Sequence, residues 1–356
     1  METIPNTEAE LTAASAPGPA SGAPVPVWRR RLDRIRALLQ RYGWLLPLLS
    51  FGAGWVGFLL VQRGAELARW VALLAILGWP WLLLEPLLRR FLQRRSQTRL
   101  PIVVINFISQ SLQQELLFFS LPILIGATQS DPGQWLFTGL TIAAALISTI
   151  DPIYEKHIAE RPLARLGFHA WCSWVAALVV LPIVAKIPLE RALPFSLIAI
   201  VIWIVMMLPR LFAARQSARQ KAIWLAALLA APWLLWMARG HIPAAGLSVR
   251  KAVITQSIDN LKPGAPVARI AAADLSQGVI AYAAIRAPMG VAQTVIFSWC
   301  HRGQCEHIPS EIRGKGSYWR TYSRKQNFPS EPIGKWVVDV RTPQGQLLSR
   351  SRFEVH

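Results

Sequence analysis

Long apolar runs fill this chain as far as Gly240, and short alternating segments replace them after Gly246. That change of pattern constrains the fold more than any motif does. An α-helix needs roughly 20 predominantly apolar residues to cross a bilayer core, whereas apolar residues at every second position mark strands with one buried face. The expected architecture is a multi-span α-helical membrane bundle followed by an all-β, sandwich-like C-terminal domain.

Composition agrees with the first half of that reading. The chain is 53% hydrophobic and only 16% charged, and its 16 tryptophans fit helices that pass through headgroup layers. A formal charge of +19 would suit a nucleic-acid binder. Such a protein, however, gathers its cations on one soluble face, and here most of them flank apolar runs. The bilayer is the expected partner, and nucleic acid is not.

Three regions follow. Residues 1–27 are rich in Ala, Pro, Ser, Thr and Gly and read as a disordered cytoplasmic tail. A cleaved signal peptide is not expected there, because no contiguous apolar core follows a basic start. Residues 28–243 form the bundle, with about seven spans near Trp44 to Val61, Ala68 to Leu88, Leu100 to Ile125, Gln134 to Ile150, Phe168 to Val184, Leu193 to Leu208 and Ala222 to Ala238. Residues 246–356 form the β-domain.

Cations outside the spans set the orientation, because cytoplasmic loops carry the excess of Lys and Arg. The N-terminal flank and the second, fourth and sixth loops carry 18, including Arg89 in the second loop and Arg165 in the fourth, against 4 in the other three loops. The expectation is a bacterial inner-membrane protein with a cytoplasmic N-terminus and a periplasmic C-terminal domain.

The third span holds unusual polar residues: Asn106, Ser109, Gln110, Ser111, Gln113, Gln114 and Glu115. At helical spacing Asn106, Ser109, Gln110 and Gln113 share one stripe, with Ser111 and Glu115 opposite. An ionisable group within a span is a functional candidate because insertion costs a few kcal/mol. Asn106, Gln110, Gln113 and Glu115 are therefore the intramembrane candidates, either as an ion or proton path or as interhelical packing contacts. Glu85 and Asp151 lie near span ends beside prolines, where caps and snorkelling account for them. No matched pair of interrupted spans points to an inverted-repeat transporter.

In the β-domain, strands are expected at Leu247 to Ile254, Val267 to Ala273, Gly278 to Arg286, Ala292 to Cys300, Cys305 to Ile312, Ser317 to Ser323, Lys335 to Arg341 and Leu347 to Val355. Turn signals separate them at Lys262 to Gly264, Pro288 to Gly290, Arg302-Gly303, Gly314 to Gly316 and Thr342 to Gly345. A hairpin closing over His301 to Gln304 sets Cys300 opposite Cys305. In an oxidising compartment this makes them disulfide candidates, with free thiols and a metal site as the alternatives. Cys300, His301, Cys305 and His307 match no standard zinc frame, so no metal is assigned. The same register sends Phe297, Trp299 and Ile308 to the core. Along Tyr318 to Lys325, Tyr318, Arg320, Tyr322 and Arg324 face one way. They are ligand-binding candidates through cation–π and charge-assisted contacts, set against an ordinary solvated face with Trp319 and Trp336 in the core. The domain's 15 Lys and Arg against 7 Asp and Glu give a formal +8, a surface drawn to anionic lipid, glycan or an acidic envelope protein.

Several runs carry a resemblance: Ile285 to Gly290, Phe297-Ser298-Trp299, Tyr318 to Lys325, Gly334 to Val340, Gly345 to Leu348 and Arg352 to Val355. Together they resemble a bacterial module known as domain of unknown function 2914, and the helical part resembles the family numbered 5924. The resemblance implies an envelope location and a β-rich module, with no activity attached. Family members often carry a histidine where this chain has Phe297, which argues against a catalytic or metal role at that position. No nucleophile elbow, phosphate loop or zinc-protease helix is present, and His241, His301 and His307 have no evident carboxylate partner in sequence. Catalytic residues and cofactors are accordingly none. The expectation is a non-enzymatic membrane protein whose external basic domain binds an envelope component or protein partner. A transporter or channel component and a membrane-embedded enzyme are the alternatives.

Overall fold

A computed structural model describes residues 80–81, 84–92, 94, 100–128, 131–184, 187–213, 217–286, 293–312 and 318–356, together with Gly52 and Val56. The expected tail, the first span apart from those two residues, most of the second span, and the turns at Pro288 to Gly290 and Gly314 to Gly316 lie outside the described residues.

The N-terminal part is helical. After a helical stretch at 84–92 come α1 (Leu100–Ala127), α2 (Pro132–Thr149), α3 (Asp151–Tyr154), α4 (Pro162–Val184), α5 (Leu189–Ala213) and α6 (Ala218–Met237). Local sequence explains the boundaries. Asp131 caps α2 by accepting a 3.2 Å hydrogen bond from Gln134 N, and Pro132, which lacks an N–H, begins that helix. Ser217 and Gln220 form a reciprocal capping box at α6. After Ile150 the chain bends by 101° into α3, which continues as a wide helical turn over Glu155–Ala159.

Among the described residues three helical segments are long and apolar enough to cross a membrane: Pro162–Pro182, Arg191–Pro209 and Ala218–His241. The bent pair α2 and α3 makes a fourth only if it counts as one span. This is fewer than the seven expected. The third expected span is helical throughout as α1, but Gln110, Gln113, Gln114 and Glu115 dilute its apolar character. Phe137 of α2 meets Trp174 of α4 edge to face at 5.5 Å, within an apolar core shared with α1 and α5. The outward surface is also apolar, with Val104, Leu136, Leu140, Val205, Leu229 and Trp233 all exposed. A surface of that kind calls for a nonaqueous cover.

From Ser248 onward the chain is β-rich. One sheet has the order β1-β5-β8, formed by Ser248–Thr255, Val279–Arg286 and Trp319–Lys325. The other has the order β4-β10-β9-β6-β7, formed by Arg269–Ile270, Leu347–Val355, Gly334–Arg341, Gln293–His301 and Gln304–Ile312. A two-stranded ribbon pairs β2 (Ile258–Asp259) with β3 (Lys262–Pro263), where the sequence suggested only a turn. The expected strand Val267 to Ala273 shrinks to β4, because a 3-10 turn takes over at Ala272–Gln277.

The two sheets enclose one core. Val279, Ala281, Ala283 and Ile285 of β5 pack with Val295, Phe297 and Trp299 of β6 and with Trp336, Val338 and Phe353. Trp299 Nε1 donates to Ser323 Oγ at 3.0 Å, so even the indole nitrogen, which would be costly to bury unpaired, is satisfied between the sheets. Trp319, by contrast, is 38% exposed rather than in the core, and Lys325 takes an inward position beside Glu306.

Candidate functional site

Three polar regions stand out. The first lies inside the helical part. Glu85 and His169 are fully buried, and Arg89 and Arg165 nearly so. Arg89 Nε donates to Glu85 Oε1 at 2.7 Å, Arg165 Nε lies 3.5 Å from the same oxygen, and His169 Nε2 lies 3.5 Å from Glu85 Oε2. Gln113 joins this group from α1: Tyr154 Oη donates to its Oε1 at 2.7 Å, and its Nε2 pairs with His169 Nδ1. In the tautomer in which Nδ1 accepts from Gln113, the ring N–H is on Nε2, the nitrogen that faces Glu85. Arg89 also donates to Asn106 Oδ1, Arg165 Nη1 donates to Ala159 O at 2.8 Å, and the Trp203 indole lies against the imidazole with ring centroids 5.3 Å apart. Five segments thus meet around one carboxylate.

This corrects several sequence readings. Glu85 is neither a cap nor a snorkelling end residue; it is the buried acid at the centre. Arg89 and Arg165, counted as loop cations, are interior partners. Asn106 and Gln113 belong to the network. Gln110 turns elsewhere, donating to Ser148 O at 2.9 Å and Asp151 Oδ1 at 2.8 Å. Glu115 faces outward and is exposed. The available signal was the spacing: Glu85 and Arg89, like Arg165 and His169, stand one helical turn apart and share a face.

The second region joins the helical and β-rich parts. Gln134 Nε2 of α2 donates to Leu347 O at 2.7 Å, and Gln346 Nε2 donates to Ile242 O and Pro243 O at 3.3 and 3.2 Å. His241, read as lacking a carboxylate, has Nδ1 3.1 Å from Asp131 Oδ2, and Arg350 Nη1 lies 3.9 Å from Asp131 Oδ1. Burial opposes ionisation of Asp131, but hydrogen bonds from His241 and Gln134 N, with the charge of Arg350, hold its carboxyl below the ordinary value. Asp339 is nearly buried and receives both Arg350, at 2.7 and 2.8 Å, and Arg341, at 2.6 Å. Despite its burial, those two guanidiniums hold it below the usual carboxylate range as well. A cleft of about 420 Å³ opens between these groups, lined by Asp131, Arg239, His241, Arg341, Gly345 and Arg350 among others.

The third region is the outer face of the three-stranded sheet. Arg320, Tyr322 and Arg324 are exposed on β8, and Arg324 Nη2 donates to Gln277 O at 2.8 Å. Tyr322 stands opposite Tyr282. Tyr318 precedes the strand, with the guanidinium carbons of Arg250 and Arg286 at 5.0 and 6.0 Å from its ring centre. Three residues of the predicted ladder therefore lie on one strand with Tyr318 just before it, joined by cations of β1 and β5 that the single-strand reading did not include.

On the opposite sheet, Cys300 and Cys305 are directly paired in register and disulfide-bonded. His301 is stacked on Trp336 at 4.5 Å, and His307 Nδ1 pairs with Ser298 Oγ at 2.9 Å, so neither is turned toward the cysteines. Among the described residues no group of three or more His, Cys, Asp or Glu side chains is placed to hold a metal ion.

An apolar helical base bearing a basic β-rich domain is the class that this fold defines. The chain belongs to the family of unknown function DUF5924, whose model matches residues 25–281; the protein of unknown function model DUF2914 matches residues 292–355. The first match runs past the helices into β5, so the seam between the two lies inside the β-rich domain rather than at Gly240 to Gly246. No curated protein matches the chain. Among solved structures, an immunoglobulin-like protein from Pseudomonas aeruginosa matches with 10% identity and a TM-score of 0.22, covering 31% of this chain and 96% of that one.

Proposed function

We propose that the chain is a multi-span protein of the bacterial inner membrane, with seven helices, a cytoplasmic N-terminus and a periplasmic β-sandwich. The β-domain is a non-enzymatic binding module for an anionic envelope component, and the outer face of the β1-β5-β8 sheet is its contact surface. One observation carries this reading: these three strands hold six cations (Arg250, Lys251, Arg286, Arg320, Arg324 and Lys325) and no carboxylate, while all seven acids of the domain lie elsewhere. Lys325 points inward; Arg250 and Arg286 stand over Tyr318, and Arg320 and Arg324 are exposed on either side of Tyr322 along β8. A one-signed field of this kind attracts a polyanion, and guanidiniums next to tyrosines add charge-assisted and stacking contacts.

The test uses the full chain in neutral phosphatidylcholine nanodiscs, titrated with a sulfated oligosaccharide as a model polyanion. Arg320→Glu with Arg324→Glu should weaken binding by at least about ten-fold and flatten its salt dependence. Equal binding by the variant would sink the reading. Orientation is checked separately by whether an enzyme fused after His356 that is active only outside the cytoplasm works in cells.

A second reading, a transport component, is favoured by the Glu85 network. On that reading Glu85 and His169, rather than Glu115, carry the proton or ion. Flux in reconstituted vesicles should then vanish in Glu85→Gln, and retained flux would exclude it.

A further inference from the structure

The cleft at the junction of the helical and β-rich parts carries a site that neither the sheet face nor the buried network accounts for. Its charges are three guanidiniums, Arg239, Arg341 and Arg350, one imidazole, His241, and the carboxylate of Asp131, with Asp339 beneath. Arg341 and Arg350 share the carboxylate of Asp339, and Arg350 also lies 3.9 Å from Asp131, so the cleft's three guanidiniums face two carboxylates and one positive charge is left over. Arg239 donates from Nη1 to Trp236 O at 3.0 Å and lies over the Trp236 ring at 5.2 Å. Neither partner has a formal charge, and among the described residues no carboxylate is ion-paired with Arg239.

The surroundings hold that guanidinium in place. Gly345 has φ 91°, a conformation that L side chains rarely adopt, and a Cβ there would come within 3.2 Å of Arg239 Nε. The glycine turn between β9 and β10 thus provides the flat surface along which Arg239 runs. A volume of about 420 Å³ suits a headgroup-sized ligand. Its position is equally specific. The cleft sits where α6 ends and α2 begins, and the exposed indoles of Trp135 and Trp233 lie within one or two turns of those helix ends. Exposed tryptophans at helix ends mark the headgroup layer of a bilayer.

We propose that this cleft binds a phosphate group, with Arg239 as its principal ligand and Arg350 and Arg341 as flanking cations. The phosphate comes from a phospholipid headgroup or from free phosphate; the lipid source rests on the reading that α4, α5 and α6 cross the membrane. Basic pockets at the ends of membrane helices recognise phospholipid headgroups in this way, and the planar guanidinium fork fits phosphate oxygens in pairs.

The experiment measures lipid retention by the full chain in detergent, using native mass spectrometry with added phosphatidylglycerol. Wild type should keep one tightly held lipid, and Arg239→Gln should weaken that binding by about ten-fold, the loss expected for one charge-assisted contact. Arg239→Lys, which keeps the charge, should fall between them, and a melting curve for each variant establishes that the fold is retained. Arg269→Gln, which removes an exposed cation of the β-rich domain outside both the cleft and the β1-β5-β8 face, should leave this binding unchanged, which separates the cleft from the domain's general positive charge. Displacement of the lipid by millimolar inorganic phosphate would assign the free anion as the source; failure of phosphate to compete, with lipid binding still dependent on Arg239, would assign the headgroup. Undiminished lipid and phosphate binding by a folded Arg239→Gln protein would overturn the proposal. A chain released from membranes without detergent would overturn the membrane reading instead.

Discussion

His169 Nε2 lies 3.5 Å from Glu85 Oε2, and neither side chain has any solvent exposure. The same carboxylate faces Arg89 and Arg165, so removing it would take away the counter-charge that these two buried guanidiniums share. Glu85→Ala should destabilise the detergent-solubilised protein by about 3–5 kcal/mol, while Glu85→Gln, which keeps the shape and one acceptor, should cost less. Thermal unfolding of the two variants measures the difference, and wild-type melting of the alanine variant would show that the network does not hold the helices together.

Tyr154→Phe removes only the hydroxyl that Gln113 Oε1 accepts from at 2.7 Å. A loss of about 1–2 kcal/mol is expected, since a buried amide oxygen is left unsatisfied. Made together with Gln113→Leu, the two changes should be less than additive, because each removes the same bond.

The β-rich domain should lose stability in acid through Asp339, and its junction with the helices through Asp131. Both carboxyls are held below their ordinary values. The stability they contribute is complete above the unfolded value of about 3.9, and is lost as pH falls through the folded values, below about pH 4. An acid titration followed by near-ultraviolet circular dichroism should show this, and Asp339→Asn should flatten it. At neutral pH the same substitution should cost about 1–3 kcal/mol, less than a sealed pair would, because both arginines reach solvent.

Reducing the Cys300–Cys305 disulfide, or replacing both cysteines with serine, should cost about 1–2 kcal/mol. The closed loop is short, and the entropy removed from the unfolded chain is correspondingly small. A chemical-denaturation midpoint that does not move on reduction would contradict this.

Gly133→Ala tests the junction by sign. In an isolated helix the change should stabilise by about 0.5–1 kcal/mol. Here a Cβ at Gly133 would overlap the ring of His241, so the ring must leave Asp131 or the helix must shift. A net loss of stability is expected; it should shrink in a His241→Ala background, which keeps the Cβ at 2.8 Å, and disappear in His241→Gly.

How far the sequence carried depends on the range of the signal. Seven of the eight expected strands were legible to within two residues, because alternation and turn chemistry are local: the hairpin register pairing Cys300 with Cys305 follows from four intervening residues. The ladder on β8 was legible for the same reason. What it joins was not, since Arg250 and Arg286 reach Tyr318 only through sheet pairing. The buried network was misread because Glu85 and Arg165 sit close to the ends of the expected spans, and linear position there does not distinguish a snorkelling charge from an inward one. Glu115 shows the converse: it lies in the middle of an apolar helix, yet on its outward face. Without Arg89 and Arg165, which are buried, the count of loop cations becomes 16 against 4. The asymmetry survives their removal.

The seam between the two family matches has an evolutionary consequence. β5, where the first match ends, pairs with β8 from the second, and β10 from the second pairs in parallel with β4 from the first. Gene fission at the seam would strip a strand from each sheet, leaving unpaired backbone edges and a half-open core on both products, a recipe for aggregation. A domain boundary drawn from either match alone would cut through a folded unit.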